Sequence, residues 1–300
     1  MDEIRPLAEA DLSAVARRLA AEYPADGMTV ANIGHKVWGD DHYEADLNLG
    51  AWRDGRLTGV LLGVARSGRA WIKALTVRPD PAVAEALLAA FEDSLRHRCI
   101  TTIDVSGSAP FYFLPGVDAT DAQAVCFYTA HGFRKANDSY NMACDLLHQS
   151  LDTSAAEADL ATHGYRCARL TPADAGALAT FLGNWFSPGW ATETLEALGN
   201  QPVSAHVAWQ RKRVVGFAAA EVTNPGWFGP TGVHPRHRGR GLGRVLLLRA
   251  LADLRDLGYR RAEIGWVGPL AWYARHCGAS VSRVFWMYRK ELAPETGRAS

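Results

Sequence analysis

The sequence has little that would hold it in a membrane or cross-link it. No apolar run approaches the ~18 residues that a membrane-spanning helix needs. The opening residues, MDEIRPLAEADL, carry acidic side chains where a secretory signal would have an apolar segment. Five cysteines occur without a C-x-x-C pair, which counts against a disulfide framework and a zinc site. We therefore expect a cytoplasmic protein with no membrane partner.

The chain also lacks an excess of charge of either sign. Its 32 Lys and Arg equal its 32 Asp and Glu, whereas a protein that coats nucleic acid needs a sizeable positive excess. We expect no nucleic-acid partner. The histidines are scattered without paired-ligand spacing, so we also expect no metal. The hydrophobic content of 48% is enough for ordinary cores, and 300 residues suit about two domains.

The two halves of the chain repeat one order of predicted elements. A short strand, a turn and an amphipathic helix with an acid near its start occur at residues 4–23 and again at 167–186. A strand ending in Val-x-Pro follows in each half, at 77–79 and at 233–235, and a leucine-rich helix comes next. Hairpins first and β-α-β later predict a mixed sheet in each half.

We therefore predict an α/β (mixed α+β) fold with two similar domains, each a twisted mixed sheet flanked by helices. The segment 148–164 is polar and rich in small residues, and we interpret it as the linker. The expected boundaries are 1–147 for the first domain and 165–300 for the second.

Three glycines alternate at a predicted junction between a strand and a helix. Glycine permits positive φ and close backbone approach, so several N–H groups can converge on an anion there. The N-terminus of the following helix adds its dipole. The glycines, and the arginines that supply countercharge, are Gly239, Gly241, Gly243, Arg238, Arg240 and Arg244. The pattern predicts a pyrophosphate site. It matches neither G-x-x-x-x-G-K-[ST] nor G-x-G-x-x-G, which disfavours a P-loop enzyme and a dinucleotide-binding Rossmann site.

The segment Val233-x-Pro235-x-x-Arg238-Gly239-x-Gly241-Leu242-Gly243 resembles the acetyl-CoA signature of GNAT-superfamily N-acetyltransferases, R/Q-x-x-G-x-G/A. Residues 165–292 carry the resemblance by motif, and residues 4–146 by the order of elements, so the chain resembles a tandem GNAT protein. The resemblance implies acetyl-CoA (coenzyme A) as cofactor, with its pantetheine arm along the strand and its pyrophosphate on the loop. The residues implied for this role are Thr231, Gly232, Val233, Arg238, Gly239, Arg240, Gly241, Leu242, Gly243 and Arg244.

The first half departs from this signature. After Val77-Arg78-Pro79 comes the acidic, glycine-free segment DPAVAEA, in which Pro81 removes an amide donor. An acidic, shortened turn repels a pyrophosphate. We therefore expect a degenerate first half that binds no acetyl-CoA and supports the protein or shapes the substrate site.

Acetyl transfer to an amine needs a proton for the leaving thiolate and a deprotonated amine. The resemblance implies Tyr273 as the general acid, because a tyrosine commonly stands a few residues before a glycine in this part of the family. Glu221, at the end of a predicted strand, and His234, beside the cofactor strand, are alternative bases. Purely structural roles for all three side chains remain open, as does deprotonation through water without a side-chain base.

Two aromatic segments are candidates for binding the acceptor. The loop PFYFLPGVD, at 110–118, has no counterpart in the second half, and its Tyr112 and Asp118 could grip a cationic amine or a sugar face. Trp190 lies in a second aromatic turn, FSPGW. Packing of the loop 110–118 against its own domain is the alternative.

The resemblance thus implies an N-acetyltransferase that moves an acetyl group from acetyl-CoA to a primary amine of a small molecule, such as an amino sugar or an amino acid, by direct attack in a ternary complex. We expect a monomer or homodimer. The alternatives are a non-catalytic acyl-CoA-binding or sensing protein, and an enzyme that acylates a protein or peptide amine.

Overall fold

The computed structural model describes residues 2–96 and 98–292. The described helices are α1 (Leu12–Glu22), α2 (Val30–Ile33), α3 (Pro81–Leu95), α4 (Ala122–Ala130), α5 (Ser154–Thr162), α6 (Ala175–Trp185), α7 (Pro188–Glu196), α8 (Leu242–Asp256) and α9 (Leu270–Cys277). The described strands are β1 (Glu3–Pro6), β2 (Asn48–Arg53), β3 (Arg56–Arg66), β4 (Arg69–Leu75), β5 (Thr102–Val105), β6 (Val117–Asp118), β7 (Arg134–Asp145), β8 (Tyr165–Arg169), β9 (Ala205–Gln210), β10 (Arg213–Ala220), β11 (Trp227–Val233), β12 (Arg261–Ile264) and β13 (Ser280–Glu291).

Local sequence explains where several elements begin. Asp80 accepts a hydrogen bond from the Ala82 amide, and Pro81 opens α3 with its backbone angle already set. Asp54 and Gly55 both have positive φ, which is the backbone that a tight hairpin between β2 and β3 requires. Ser187 accepts a hydrogen bond from the Trp190 amide and so caps α7.

Backbone contacts divide the described residues into two units. The first contains the chain up to Ser139 and from Val284 onward, and the second is Tyr140–Arg283. This division differs from the boundaries expected from the sequence. The strand β7 leaves the first unit for the second, and β13 makes the reverse crossing, so the last strand of each unit comes from the other half of the sequence. The expected linker, 148–164, lies inside the second unit and contains α5.

The first unit holds one mixed sheet. Its strands follow the order β1-β2-β3-β4-β5, continued by the part of β13 that starts at Val284, with β6 also paired to β13. The β4–β5 pair is parallel, and the other pairs are antiparallel. The face covered by α3 forms the core around Leu61, Ile72 and Phe91.

The second unit repeats this topology. Its strands follow the order β8-β9-β10-β11-β12, continued by the part of β7 that starts at Tyr140. The β11–β12 pair is parallel, and the other pairs are antiparallel. One face packs under α8 through residues such as Leu246 and Leu251, and the other under α6 and α7 through Leu182 and Phe217. The predicted class, two mixed sheets flanked by helices, is confirmed.

No helix among residues 2–96 and 98–292 combines the length and the apolarity needed to cross a membrane.

Candidate active site

The strands β11 and β12 separate soon after they meet. They pair only where Trp227 and Phe228 face Glu263 and Ile264. Beyond this point, the register between β10 and β11 shifts, because both Gly229 and Pro230 lie opposite Ala219. Such a bulge bends a strand and ends regular pairing. The remainder of β11 therefore has one edge that no strand of the described residues covers.

Backbone direction shows which groups of β11 face this open edge. The His234 amide donates to the Val215 carbonyl (2.9 Å), so His234 and Gly232 direct their backbone groups toward β10. In an antiparallel pair the intervening residues point the other way. Thr231 and Val233 therefore direct their N–H and C=O groups to the open edge. Of these groups, the Val233 carbonyl accepts a hydrogen bond from Arg238 Nε (3.1 Å).

The loop after β11 leads into α8 with unpaired amides. Gly239 and Gly241 have φ of +75° and +86°, a backbone that side chains other than glycine rarely adopt. No side chain caps α8 at Gly241. Within the described part of the chain, the amides of residues 239–244 donate to no protein acceptor. A helix N-terminus with free amides binds anions.

The arginines of this loop are also without acidic partners. Arg240 and Arg244 are exposed, and no carboxylate of the described residues forms an ion pair with either side chain. Free amides, a helix dipole and uncompensated positive charge thus coincide. This combination suits a pyrophosphate.

Tyr273 lies next to the point where β11 and β12 separate. Its side chain is 7% exposed, and its ring contacts that of Phe228 with centroids 6.1 Å apart. Burial raises the pKa of Tyr273 well above its usual value. The hydroxyl bonds to no atom of the described residues. The structure therefore places a protonated phenol beside the opening.

Aromatic side chains cover the opposite face of β11. A Cβ on Gly232 would come within 2.5 Å of the Phe186 ring, so glycine is what lets this ring pack there. Trp190 stacks on Phe186 with centroids 5.4 Å apart. Trp185 is 51% exposed, and its ring is 4.1 Å from that of His234. Sequence reasoning identified Trp190 but missed Trp185, which the helical pattern of 176–186 made part of an ordinary helix end.

The two candidate bases, Glu221 and His234, are each held by hydrogen bonds of their own. Glu221 accepts hydrogen bonds from the Gly226 amide and from the Tyr259 hydroxyl (3.2 Å), which ties it to the turn between β10 and β11. Burial raises its pKa. His234 stands at the loop end of β11, and its Nδ1 accepts from the Arg236 amide (3.1 Å). Among the described residues, no hydrogen bond or ring contact joins Glu221 or His234 to Tyr273.

The aromatic loop 110–118 belongs to the first unit and is not an open surface there. Tyr112 is 6% exposed and Phe113 is 2% exposed, and the Tyr112 carbonyl accepts from Lys36 Nζ (2.6 Å). Asp118 accepts from the amide and the hydroxyl of Thr120 (2.9 and 2.7 Å). The loop packs inward because its aromatic rings gain more from burial than from exposure, so the expected grip on a substrate by Tyr112 and Asp118 is not the arrangement found.

The first unit has the same strand edge, but its own side chains occupy it. The Tyr23 hydroxyl donates to the Leu75 carbonyl (2.9 Å) and accepts from the Leu75 amide (3.3 Å). Glu22 accepts from the amides of Val77 (3.0 Å) and Arg78 (3.3 Å). By the shared Val-x-Pro sequence, Leu75 and Val77 correspond to Thr231 and Val233. The backbone groups that are open in the second unit are hydrogen-bonded in the first.

The space beyond this edge is also filled in the first unit. Lys73 lies at the register shift of β4, and its side chain is 1% exposed. Its ammonium donates to Asp40 (2.6 Å) and to the Lys36 carbonyl (2.5 Å), and it lies 5.8 Å from the centre of the Phe111 ring. Burial lowers the pKa of Lys73 to about 8. The first unit therefore has no open cleft at this position.

Residues 176–278 match the model of the acetyltransferase (GNAT) family. No curated protein matches the sequence. Among solved structures, a glucosamine N-acetyltransferase region of a fungal multi-domain β-N-acetylglucosaminidase superposes with a TM-score of 0.75 at 19% identity. The match covers 96% of this chain and 38% of that one, so this chain spans well under half of that protein.

Two further structures match along nearly their whole length. An N-acetyltransferase from Sphaerobacter thermophilus gives a TM-score of 0.68 at 19% identity and covers 98% of this chain and 96% of its own. A tandem GNAT protein from the clavulanic acid biosynthesis pathway gives 0.70 at 18% identity and covers 98% and 100%. At these identities the structures establish a shared fold.

Proposed function

Because residues 176–278 form a domain of the acetyltransferase (GNAT) family, we propose that this protein is an N-acetyltransferase that moves the acetyl group of acetyl-CoA to a primary amine of a small molecule by direct attack in a ternary complex. One observation carries the proposal. In the second unit, an uncovered strand edge leads from the phenol of Tyr273 at one end to a loop of free amides and unpaired arginines at the other.

The residues of the second unit fit acetyl-CoA. The open N–H and C=O groups of Thr231 and the open N–H of Val233 can pair with the two amides of a pantetheine arm, as a further strand would. The amides of residues 239–244 can hold the pyrophosphate, and Arg240 and Arg244 can neutralise it. Tyr23, Glu22 and Lys73 leave no such groups free in the first unit, so one cofactor per chain is expected.

Acetyl-CoA supplies an acetyl group on a thioester and, as that bond breaks, a thiolate. Thr231 carries the open-edge amide closest along β11 to Phe228, and this N–H is the donor available to polarise the acetyl carbonyl. Tyr273 gives its proton to the thiolate, and its raised pKa keeps the phenol protonated at neutral pH. No side chain is assigned as the base, because Glu221 is hydrogen-bonded in the turn before β11 and His234 Nδ1 accepts from the Arg236 amide, so the amine gives its proton to water.

The acceptor binds on the aromatic side of β11. Trp190 and Phe186 form a stacked pair there, and Trp185 offers an exposed ring. Aromatic faces suit a ring-shaped amine or a cation. An amino sugar meets both descriptions, and the structurally similar fungal region is a glucosamine N-acetyltransferase. We therefore place amino sugars first among the acceptors to be tried.

The test is Tyr273→Phe, assayed by release of free thiol with a panel of amino sugars, amino acids and polyamines. Loss of the acid should lower kcat by about a hundredfold and leave the affinity for acetyl-CoA unchanged. Because burial raises the pKa of Tyr273, the wild-type rate should not fall as pH passes 10, the usual pKa of a tyrosine. The matched control is Tyr259→Phe, which removes a hydroxyl from the turn that holds Glu221.

Undiminished kcat in Tyr273→Phe would remove this residue as the acid. Tight binding of acetyl-CoA with no thiol release for any amine would instead favour the non-catalytic acyl-CoA-binding alternative. Release only with peptides would favour a protein or peptide acceptor.

A further inference from the structure

Positive charge continues past the pyrophosphate loop onto α9. A Cβ on Gly243 would lie 3.3 Å from the ring of Trp272, so α9 packs closely against the first turn of α8. Arg275 and His276 follow Trp272 by three and four residues and share its face of the helix. The ring of His276 lies 4.8 Å from that of Trp272. This packing places Arg275 and His276, in the last turn of α9, beside the N-terminus of α8.

Arg244 belongs to the same group of charges. Burial lowers the pKa of His276, and the charges of Arg244 and Arg275 lower it further, as expected if the three side chains are neighbours. Arg244 and Arg275 are exposed, and within residues 2–96 and 98–292 neither has a carboxylate partner. The group, which we call the α9 cationic patch (Arg244, Arg275 and His276), is thus locally uncompensated.

Helix dipoles account for only part of this patch. Arg275 and His276 lie in the last turn of α9, where a helix favours cations. Arg244 lies in the first turn of α8, where the dipole and the charge of Arg275 both disfavour it. A bound anion removes the conflict. The pyrophosphate loop already supplies its free amides and Arg240, so Arg275 and His276 are available for a separate phosphate, with Arg244 shared by the two phosphate groups.

We infer that the α9 cationic patch binds the 3′-phosphate of the CoA ribose, with Arg275 as the residue that distinguishes CoA from dephospho-CoA. This inference rests on the proposed function, which requires CoA on the loop 239–244. A phosphomonoester carries nearly two negative charges at neutral pH, more than either phosphate of the pyrophosphate. Two arginines and a histidine are a fitting set of partners for it.

The test is calorimetric titration of CoA and of dephospho-CoA into the wild-type chain, Arg275→Ala and Arg255→Ala. Wild type should bind CoA about tenfold more tightly than dephospho-CoA. Arg275→Ala should weaken CoA about fivefold and leave dephospho-CoA within about twofold. Arg255→Ala is the matched control, because it removes an exposed arginine from the opposite end of α8, where Arg255 pairs with Asp256, and it should change neither affinity. Arg275→Lys should recover part of the preference.

Equal wild-type affinity for the two nucleotides would overturn the inference while leaving the proposed function intact. Equal weakening of both nucleotides by Arg275→Ala would do the same. Binding of neither nucleotide by wild type would overturn the proposed function and the inference together. As a second readout, CoA but not dephospho-CoA should raise the pKa of His276, followed by NMR, and the same rise with both would count against the assignment.

Discussion

The last residue of α1 and the last residue of α6 lie at matching places in the two units, since each helix begins directly after an aspartate (Asp11 and Asp174) and has the same length. In the first unit the helix ends in Glu22 and is followed by Tyr23, and both side chains bond to the edge of β4. In the second unit the corresponding residues are Trp185 and Phe186, and neither side chain can accept a hydrogen bond from a strand amide. The residues at the end of this helix thus determine whether the strand edge is hydrogen-bonded to side chains or left free.

The comparison adds to the expectation that the first half binds no acetyl-CoA. Its missing glycines remove a pyrophosphate site, as the sequence indicates. The structure adds that the strand edge is bonded to Glu22 and Tyr23, and that Lys73 fills the space beyond it. Restoring a glycine loop alone would therefore not restore a cofactor site.

The largest effect is expected in the first unit, where Lys73 fills the space beyond the strand edge. Lys73→Met leaves the buried Asp40 carboxylate and the Lys36 carbonyl without the hydrogen bonds that the Lys73 amine donates whether it is charged or neutral, so the free energy of unfolding should fall by about 3–5 kcal/mol. The pKa of Lys73 is about 8 when folded and higher when unfolded, so the unfolded chain binds more protons between pH 8 and about 10.4. Wild-type stability should gain from this group as pH rises through that window, and the variant should lose that gain.

Urea denaturation across pH measures both effects. The double variant Lys73→Met/Asp40→Asn is the control and should recover much of the loss, because no unpaired charge remains. A single variant as stable as wild type would show that the pair does not hold the first unit closed.

The next largest effect is expected when the residues that occupy the strand edge in the first unit are introduced into the second unit. Trp185→Glu together with Phe186→Tyr should let the new side chains bond to the open groups of β11 and weaken acetyl-CoA binding about a hundredfold, or about 2.7 kcal/mol. Titration calorimetry measures it. Trp185→Gln with Phe186→Leu removes the same rings without introducing a carboxylate or a phenol. This variant should bind acetyl-CoA more tightly than Trp185→Glu with Phe186→Tyr. Equal affinities of the two double variants for acetyl-CoA would show that Glu22 and Tyr23 do not account for the difference between the two units.

The smallest effect is expected from loss of the Tyr23 hydroxyl, which bonds to the strand edge in the first unit. Tyr23→Phe leaves the Leu75 amide and carbonyl without this partner, so the free energy of unfolding should fall by about 1 kcal/mol. Glu22 and Lys73 remain, so the stoichiometry of acetyl-CoA should stay at one per chain. A second equivalent bound by this variant would mean that one hydroxyl alone keeps the first unit closed. Tyr43→Phe is the matched control, because it removes a hydroxyl of the first unit that donates to the Leu7 carbonyl (3.3 Å) and not to β4.

Sequence reasoning identified features that depend on neighbouring residues. The spacing of Gly239, Gly241 and Gly243 carries a requirement for positive φ and free amides within one short segment. The repeated Val-x-Pro likewise places a strand end in each half. These signals are local, and they were enough for the fold class and for the position of the loop.

What sequence reasoning missed depends on contacts between distant residues. Glu22 bonds to amides more than fifty positions away, and nothing in the helix containing it marks that role. The aromatic content of 110–118 is compatible with an exposed grip or with a packed loop, and the choice depends on Lys36 and the strands beneath it. Likewise, strand propensity in β7 and β13 does not say which sheet each strand will join.

The exchange of β7 and β13 has a consequence for how such a protein can be divided. A cut in the segment 148–164 would give two fragments of familiar length, yet the first would lack the strand that pairs with β5, and the second would lack the one that pairs with β12. Each fragment would carry a long unpaired edge of the kind that promotes aggregation. The halves are therefore interdependent in folding, because each unit completes its sheet with a strand from the other half of the sequence.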